Sequence, residues 1–335
     1  MISRYSMMRL PLVYLLAASP LLAQVPPSMP RAGFGAGESV MVMEAHSGKV
    51  LFAHNSTRKQ PVASLTKIAA SCVALDWAAA SGTDISKLSV VVPAAVTMVG
   101  GPNPMNLKPG ERIIMRDALY AMMLSSDNLA ALTVANHVGR QLLMSRAKRG
   151  EPVREFVDEM NRLAKGLGMR HTRFGNPHGL EREGVKAFST AADMARLSVY
   201  AMQLNPLSFM VRQQSRRIEV QSSDDNRVYT ARNTNELLGF GGVLGIKTGT
   251  TRAAGPCLAI SVHRDPLVRQ RPDGSKGVTP RRLIVVVLNS PDRYGRTRSL
   301  IAGAWRSYDN WLAVGAPVNN PKRELIKVPN PIAEN

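Results

Sequence analysis

A chain of 335 residues allows one large domain or two modest ones, and an apolar fraction of 44% is enough for a real core, which excludes global disorder. Its 2 cysteines, Cys72 and Cys257, are too few for a disulfide framework and fall in apolar runs, as small buried hydrophobes do. The formal net charge of +19 points either to anionic envelope partners or to a solvated basic surface with no specific partner, and with aromatics at only 5% and no aromatic-interleaved basic stripe, nucleic acid is not expected.

Residues 1–23 read as an export signal. Arg4 and Arg9 are basic, the run after them is apolar, and Ala23 offers a small residue for cleavage. The apolar run is short for a membrane span and carries Pro11 and Pro20, so cleavage and a periplasmic or wall-associated location are expected. Residues 24–37, rich in Pro, Gly and Ala, read as a linker. A catalytic domain is expected over 38–314.

Residues 39–45 and 49–53 are apolar runs around His46-Ser47-Gly48, the pattern of a β-hairpin. An alanine-rich helix is expected from Ser64 to just before Gly82. Residues 99–109, with Pro102, Pro104 and Pro109, read as a loop. Residues 113–124 and 129–138 read as helices interrupted by Ser125-Ser126-Asp127-Asn128. Four polar residues between two apolar helices are expected to line something.

Residues 152–166 have Phe156, Met160 and Leu163 at helical spacing. Asn176-Pro177-His178-Gly179-Leu180 is a turn, and 189–193 cap a helix running to about 204. The second half turns to β. Strands are expected over 217–220, 228–233, 243–248, 257–263 and 283–288, with a basic loop over 264–282 and a closing helix over 297–313. The tail 315–335 has little periodicity and no amphipathic anchor, so no stable membrane attachment is expected from it.

The chemistry centres on Ser64 and Lys67. At the start of a helix, positions i and i+3 share a face, so the amine lies beside the hydroxyl. A serine becomes a nucleophile when a neighbouring base takes its proton, and a lysine held neutral can be that base. Alone, Ser-x-x-Lys is equally the start of any helix with a capping serine and a surface lysine. Two later stretches answer it: Ser126-Asp127-Asn128 in the polar kink, and Lys247-Thr248-Gly249-Thr250 at the end of a predicted strand. In this order the three form the signature of the penicillin-recognising serine enzymes. Two lysines in one cleft should lower each other's pKa, which helps keep Lys67 neutral.

Beyond these motifs the chain resembles the low-molecular-mass penicillin-binding proteins, the serine-type D-alanyl-D-alanine carboxypeptidases. The resemblance rests on Val62-Ala63-Ser64-Leu65-Thr66-Lys67, Met123-Leu124-Ser125-Ser126-Asp127-Asn128, Asn176-Pro177-His178-Gly179-Leu180 and the run from Lys247 through Gly255. It implies a mixed α/β (α+β) fold of the β-lactamase/transpeptidase type, an antiparallel sheet covered by helices plus a helical subdomain. It implies hydrolysis of D-Ala-D-Ala termini of peptidoglycan stem peptides through an acyl-enzyme, with β-lactams as covalent inhibitors and no cofactor or metal. Ser64 is then the nucleophile and Lys67 its base. Ser126 relays a proton to the leaving amine, and Asn128 bonds the substrate amide. Lys247 and Thr248 face the terminal carboxylate, Gly249 gives clearance, and the N–H groups of Ser64 and Thr250 form the oxyanion hole. Many members carry a β-rich second domain and a membrane-binding helix at the C-terminus. This chain is expected to stop short of both, as the shorter D,D-endopeptidases do, so cleavage of cross-bridges stays open.

A class A β-lactamase also favours Ser-Asp-Asn, but it needs a glutamate to activate the deacylating water. Glu151-Pro152-Val153-Arg154-Glu155 supplies a glutamate without the asparagine at the fifth place, and Glu151 is expected to begin a helix. A catalytically silent penicillin sensor would not need an intact nucleophile, base and relay. The histidines His46, His54, His137, His171, His178 and His263 are scattered, with no metal-binding spacing. His178 is expected as a structural turn residue. Arg296 is expected either beside Lys247 or on the surface.

Overall fold

The computed structural model of the protein describes residues 33–329, apart from 102, 182 and 224. The expected signal segment 1–23 and most of the linker 24–37 lie outside these residues.

Strands β1 (Ser39–Glu44) and β2 (Val50–His54) form the expected antiparallel hairpin. Its turn is held by Glu44, whose carboxylate accepts from the backbone N–H of His46 at 2.8 Å and of Ser47 at 2.6 Å. Helix α1 (Thr66–Ala80) follows a short 3-10 turn, Ala63–Leu65. Alanine-rich and buried along most of its length, it can be a central helix because its small side chains let neighbours close in from several sides.

A second, smaller sheet is made by β3 (Ser89–Val91), β4 (Arg112–Ile114), β5 (Ser215–Gln221) and β6 (Arg227–Arg232), antiparallel in that order. Residues 113 and 114, read from the sequence as the start of a helix, belong to β4. Two adjacent isoleucines favour the extended strand, and helix α2 (Met115–Leu124) begins only after them. Helices α3 (Asn128–Ser145) and α4 (Pro152–Gly166) complete the helical part. Glu151 caps α4, accepting from Val153 N–H at 3.0 Å and Arg154 N–H at 2.7 Å.

Thr190 caps α5 (Ala191–Ala201), which ends three residues short of the expected 204, and a separate short helix, α6 (Asn205–Met210), follows it. Pro206 fixes the first turn of α6, a position where its missing N–H is not needed.

The main sheet has the order β2-β1-β9-β8-β7, with β7 (Val243–Thr251), β8 (Gly255–Gln270) and β9 (Lys276–Leu288) all antiparallel to their neighbours. Leu283 through Leu288 are all buried, because β9 is covered on both faces. Val285 and Val287 pack towards helix α7 (Arg293–Ala313), with Leu300 and Trp305. Ile284 and Val286 face the other core, with α1 and α5. Among the described residues no helix is long and apolar enough to cross a membrane.

One strand expectation is corrected. Residues 264–282, read as a basic loop because of Pro266, Pro272, Pro280 and Gly274, continue β8 and β9 as a two-stranded ribbon, with Leu267 opposite Thr279 and Val268 opposite Val278. The tail, for which no structure was expected, returns to the domain. Helix α8 (Pro321–Glu324) places Glu324 against Lys49 at 2.5 Å, and Ile326 N–H donates to Gly48 O at 2.8 Å while its side chain is buried.

Candidate active site

Ser64 lies on the 3-10 turn ahead of α1, and Lys67 lies one turn on. The residue before the serine, Ala63, takes a positive φ of 48°, which folds the chain tightly into the helix. Lys67 Nζ stands 3.1 Å from Ser64 Oγ, 2.6 Å from Asn128 Oδ1 and 2.9 Å from the His178 carbonyl oxygen. Two separate segments therefore converge on one amine: the start of α3 and the turn 176–180.

That turn can come so close because of Gly179. Its φ is +88°, and a Cβ there would stand 1.9 Å from Ala63 O. Asn176 shapes the turn, its Oδ1 accepting from Gly179 N–H at 2.6 Å. Leu180 N–H bonds His178 Nδ1 at 3.2 Å. Burial, with help from Lys67, pushes the imidazole down to about 3, so the ring is neutral at any ordinary pH. The side chain is structural, as expected. The backbone carbonyl is the part that reaches the site, which no side-chain motif could announce.

Asn128 opens α3, and Asp127 caps it, accepting from Ala130 N–H at 2.8 Å and from Met105 N–H at 3.0 Å. Ser126 holds a positive φ of 62°, the strained joint between α2 and α3. Its hydroxyl, half-buried, makes no hydrogen bond to the protein among the described residues.

Strand β7 forms the opposite wall. A Cβ at Gly249 would stand 2.9 Å from Ser64 N, so only glycine lets the strand lie this close to the serine backbone. Lys247, 1% exposed, donates to Thr248 O at 3.1 Å. The Thr248 hydroxyl shares a 2.6 Å hydrogen bond with the hydroxyl of Thr234. Thr234 also ties back to α2, its N–H donating to Leu124 O at 3.1 Å. Thr234 thus bridges the second and third motifs, and the sequence reading passed over it.

Arg293, not Arg296, stands over the end of this strand. Its Nη1 donates to Gly249 O at 3.0 Å and to Thr250 Oγ1 at 2.9 Å. Arg296 instead pairs with buried Glu38 at 3.0 Å and lies over Phe34, away from the cleft. The two arginines sit one turn apart at the start of α7, and the sequence held no signal to choose between them. Glu181, beyond the turn 176–180, accepts from the Thr251 hydroxyl and closes one end of the cleft.

Lys67 is held well below the ordinary lysine range, first by its complete burial, then by Lys247, with Asp127 opposing. The expected effect between the two lysines therefore runs one way, from Lys247 onto Lys67, and is second to desolvation. Lys247 is brought down to about 7 by burial and by Arg293. Burial raises the Asp127 carboxyl, while N–H groups such as that of Ala130 and the Lys67 charge pull it back.

Comparison with known proteins identifies the family. Residues 30–269 match the family model described as D-alanyl-D-alanine carboxypeptidase. A D-alanyl-D-alanine endopeptidase of Pseudomonas aeruginosa is 32% identical over 243 residues, covering 69% of this chain and 69% of that protein. A D-alanyl-D-alanine carboxypeptidase of Bacillus subtilis is 29% identical over 228 residues, covering 68% of this chain but 54% of that protein, so the chain spans about half of that relative's length. The crystal structure of a Streptomyces DD-transpeptidase superposes with a TM-score of 0.65 at 23% identity, covering 84% of this chain and 98% of that one. An ampicillin-bound penicillin-binding protein of Listeria monocytogenes gives 0.63 at 24% identity, covering 82% and 100%. At these identities the two structures establish the mixed α/β fold of the DD-peptidases. By its sequence, its motifs and its fold, the chain belongs to the D-alanyl-D-alanine carboxypeptidase family.

Proposed function

We propose that the protein is a serine D,D-peptidase that hydrolyses D-Ala-D-Ala termini of peptidoglycan stem peptides through an ester on Ser64. The observation that carries this reading is the setting of Lys67. A neutral amine has two hydrogens and one lone pair. Asn128 Oδ1 and the His178 carbonyl, both pure acceptors here, take the two hydrogens. The lone pair is left for Ser64, 3.1 Å away.

In the reading that follows, Ser64 Oγ attacks the carbonyl carbon of the penultimate D-Ala and its proton passes to Lys67. The oxyanion is held by the N–H groups of Ser64 and Thr250, where the loss of one donor costs about 100- to 1000-fold in rate. As the C–N bond breaks, that proton leaves Lys67 and is relayed through the Ser126 hydroxyl to the leaving amine, so Ser126 and Lys67 both end neutral. The substrate's terminal carboxylate faces Lys247 and Thr248, with Arg293 adding charge. Asn128, whose Oδ1 holds Lys67, has its Nδ2 on Gly100 O at 3.3 Å, a long bond that a substrate carbonyl can replace. Water then hydrolyses the ester and restores Ser64.

Cleavage of cross-bridges is the second reading, favoured by the endopeptidase names of the Pseudomonas relative and of an Escherichia coli relative that is also 32% identical. The same cleft serves β-lactams as covalent inhibitors. Export through residues 1–23, a periplasmic or wall-associated location and a catalytic domain over 38–314 belong to the proposal. Mass spectrometry of purified muropeptides tests it. Loss of one alanine from pentapeptides supports the carboxypeptidase, and splitting of cross-linked dimers supports the endopeptidase. Neither product forming would overturn both.

A further inference from the structure

Past Val262 on β8 and Leu283 on β9, the neighbouring strands β7 and β1 have no partner residues left. What continues is a ribbon with both edges free, an arrangement of marginal stability by itself in water. Its composition is one-sided: residues 264–282 hold six Arg and Lys against two Asp. Those at the root are engaged, with Arg264 on Asp309 at 2.9 Å and Arg282 on Met202 O at 3.1 Å. Arg269, Arg271 and Lys276 have no acidic partner among the described residues.

The ladder also fixes the faces. Val268 and Val278 are cross-strand partners, 57% and 60% exposed, and Lys276 follows two residues before Val278 on the same face. Arg269 falls on the other face, with the Arg271 guanidinium close over Gly277. An exposed valine pair with a cation beside it and two more across a two-stranded ribbon gains nothing in water. At a lipid–water interface the valines enter the acyl boundary and the cations meet phosphate headgroups. The 3-10 turn at the root adds Phe240, 50% exposed with Arg298 over its ring. A soluble polyanion would use the cations and leave the valine pair without a role.

We propose that the free β8–β9 ribbon docks the catalytic domain on an anionic phospholipid surface, through Val268 and Val278 with Lys276 on their own face, while Arg269 and Arg271 on the other face reach past the narrow ribbon's free edges to the headgroups. The attachment is peripheral, reversible and weakened by salt, and it is independent of the chemistry at Ser64.

The test is vesicle co-sedimentation of the full chain and two variants. One variant carries Arg269→Gln, Arg271→Gln and Lys276→Gln, and the other Val268→Ser and Val278→Ser. Vesicles are phosphatidylcholine alone or mixed with phosphatidylglycerol. The apolar N-terminal stretch is common to all three proteins, so the reading is the difference between them. On mixed vesicles at low salt the charge variant should bind about a hundredfold more weakly and the valine variant about tenfold more weakly. On phosphatidylcholine the charge variant and the wild type should not differ. Unchanged thermal midpoints and unchanged labelling by a fluorescent penicillin show that the fold is kept. Equal binding of all three proteins to mixed vesicles, or no binding by any, overturns the proposal. So does a charge-dependent, valine-independent capture that inorganic polyphosphate competes away, which makes a soluble polyanion the occupant.

Discussion

Lys67 has three hydrogen-bond partners and, as a neutral amine, two hydrogens to give them. Burial favours loss of the proton, and the neutral amine then turns its lone pair to Ser64, as a base must. Lys67→Arg should therefore be nearly as damaging as Lys67→Ala, since arginine effectively keeps its proton. Both should slow acylation by about 100- to 10,000-fold in a stopped-flow labelling assay. Ser64→Ala should abolish covalent labelling by penicillin altogether. The pH profile should have two limbs. Activity rises as Lys67 deprotonates, and falls above about 7 as Lys247 loses the charge that meets a carboxylate. The linkage to stability has a definite sign. A lysine whose folded pKa is lowered leaves the unfolded chain binding more protons, so stability rises with pH between about 7 and the ordinary lysine value. Lys247→Met should reduce that rise and leave the share that Lys67 contributes, which urea denaturation of both proteins across this range would reveal. Thr234→Val should raise KM about tenfold with kcat little changed, the scale of one buried hydrogen bond, and Thr234→Ser should restore it. Ser64, Lys67, Ser126, Asn128 and the Lys247 strand were legible because side-chain chemistry is written in sequence. Thr234, Arg293 and the His178 carbonyl were not, because their roles come from chain crossings between distant segments.

Among the elements, amphipathic and apolar patterns carried well. Helix α4 spans the residues its periodicity predicts, and the buried strand 283–288 lies within β9. The ribbon was missed because prolines and glycines mark turns locally, while a ladder depends on register between strands. The C-terminal return was missed for a related reason: a lone Ile326 carries no period, yet its burial beside the β1–β2 turn fastens the tail. Ile326→Ala should cost about 2–4 kcal/mol in chemical denaturation with acylation unchanged. Gly179→Ala should do the opposite in kind, displacing the turn that carries the His178 carbonyl and cutting acylation sharply, because its Cβ has no room against Ala63 O.

Over the whole molecule, three motifs spread across the chain meet where the sheet faces the helical part. At the acylation site proposed there, the glutamate that a β-lactamase would need to hold its water is not offered by Glu151. Glu151 is spent as the cap of α4. The penicilloyl-enzyme should therefore persist well beyond one peptide turnover when intact mass is followed after a single dose. Rapid loss of the adduct with steady release of penicilloic acid would count against this reading. Strand β8 then has a consequence for reach. One strand of 16 residues runs from Gly255 beside the cleft to Gln270 near the ribbon tip, about 50 Å at strand spacing. Whatever holds the tip also sets the height and bearing of the cleft, as a ruler does. Adding two residues to each ribbon strand would lift the cleft by about 7 Å and keep its aim, whereas adding one would turn the docking face over.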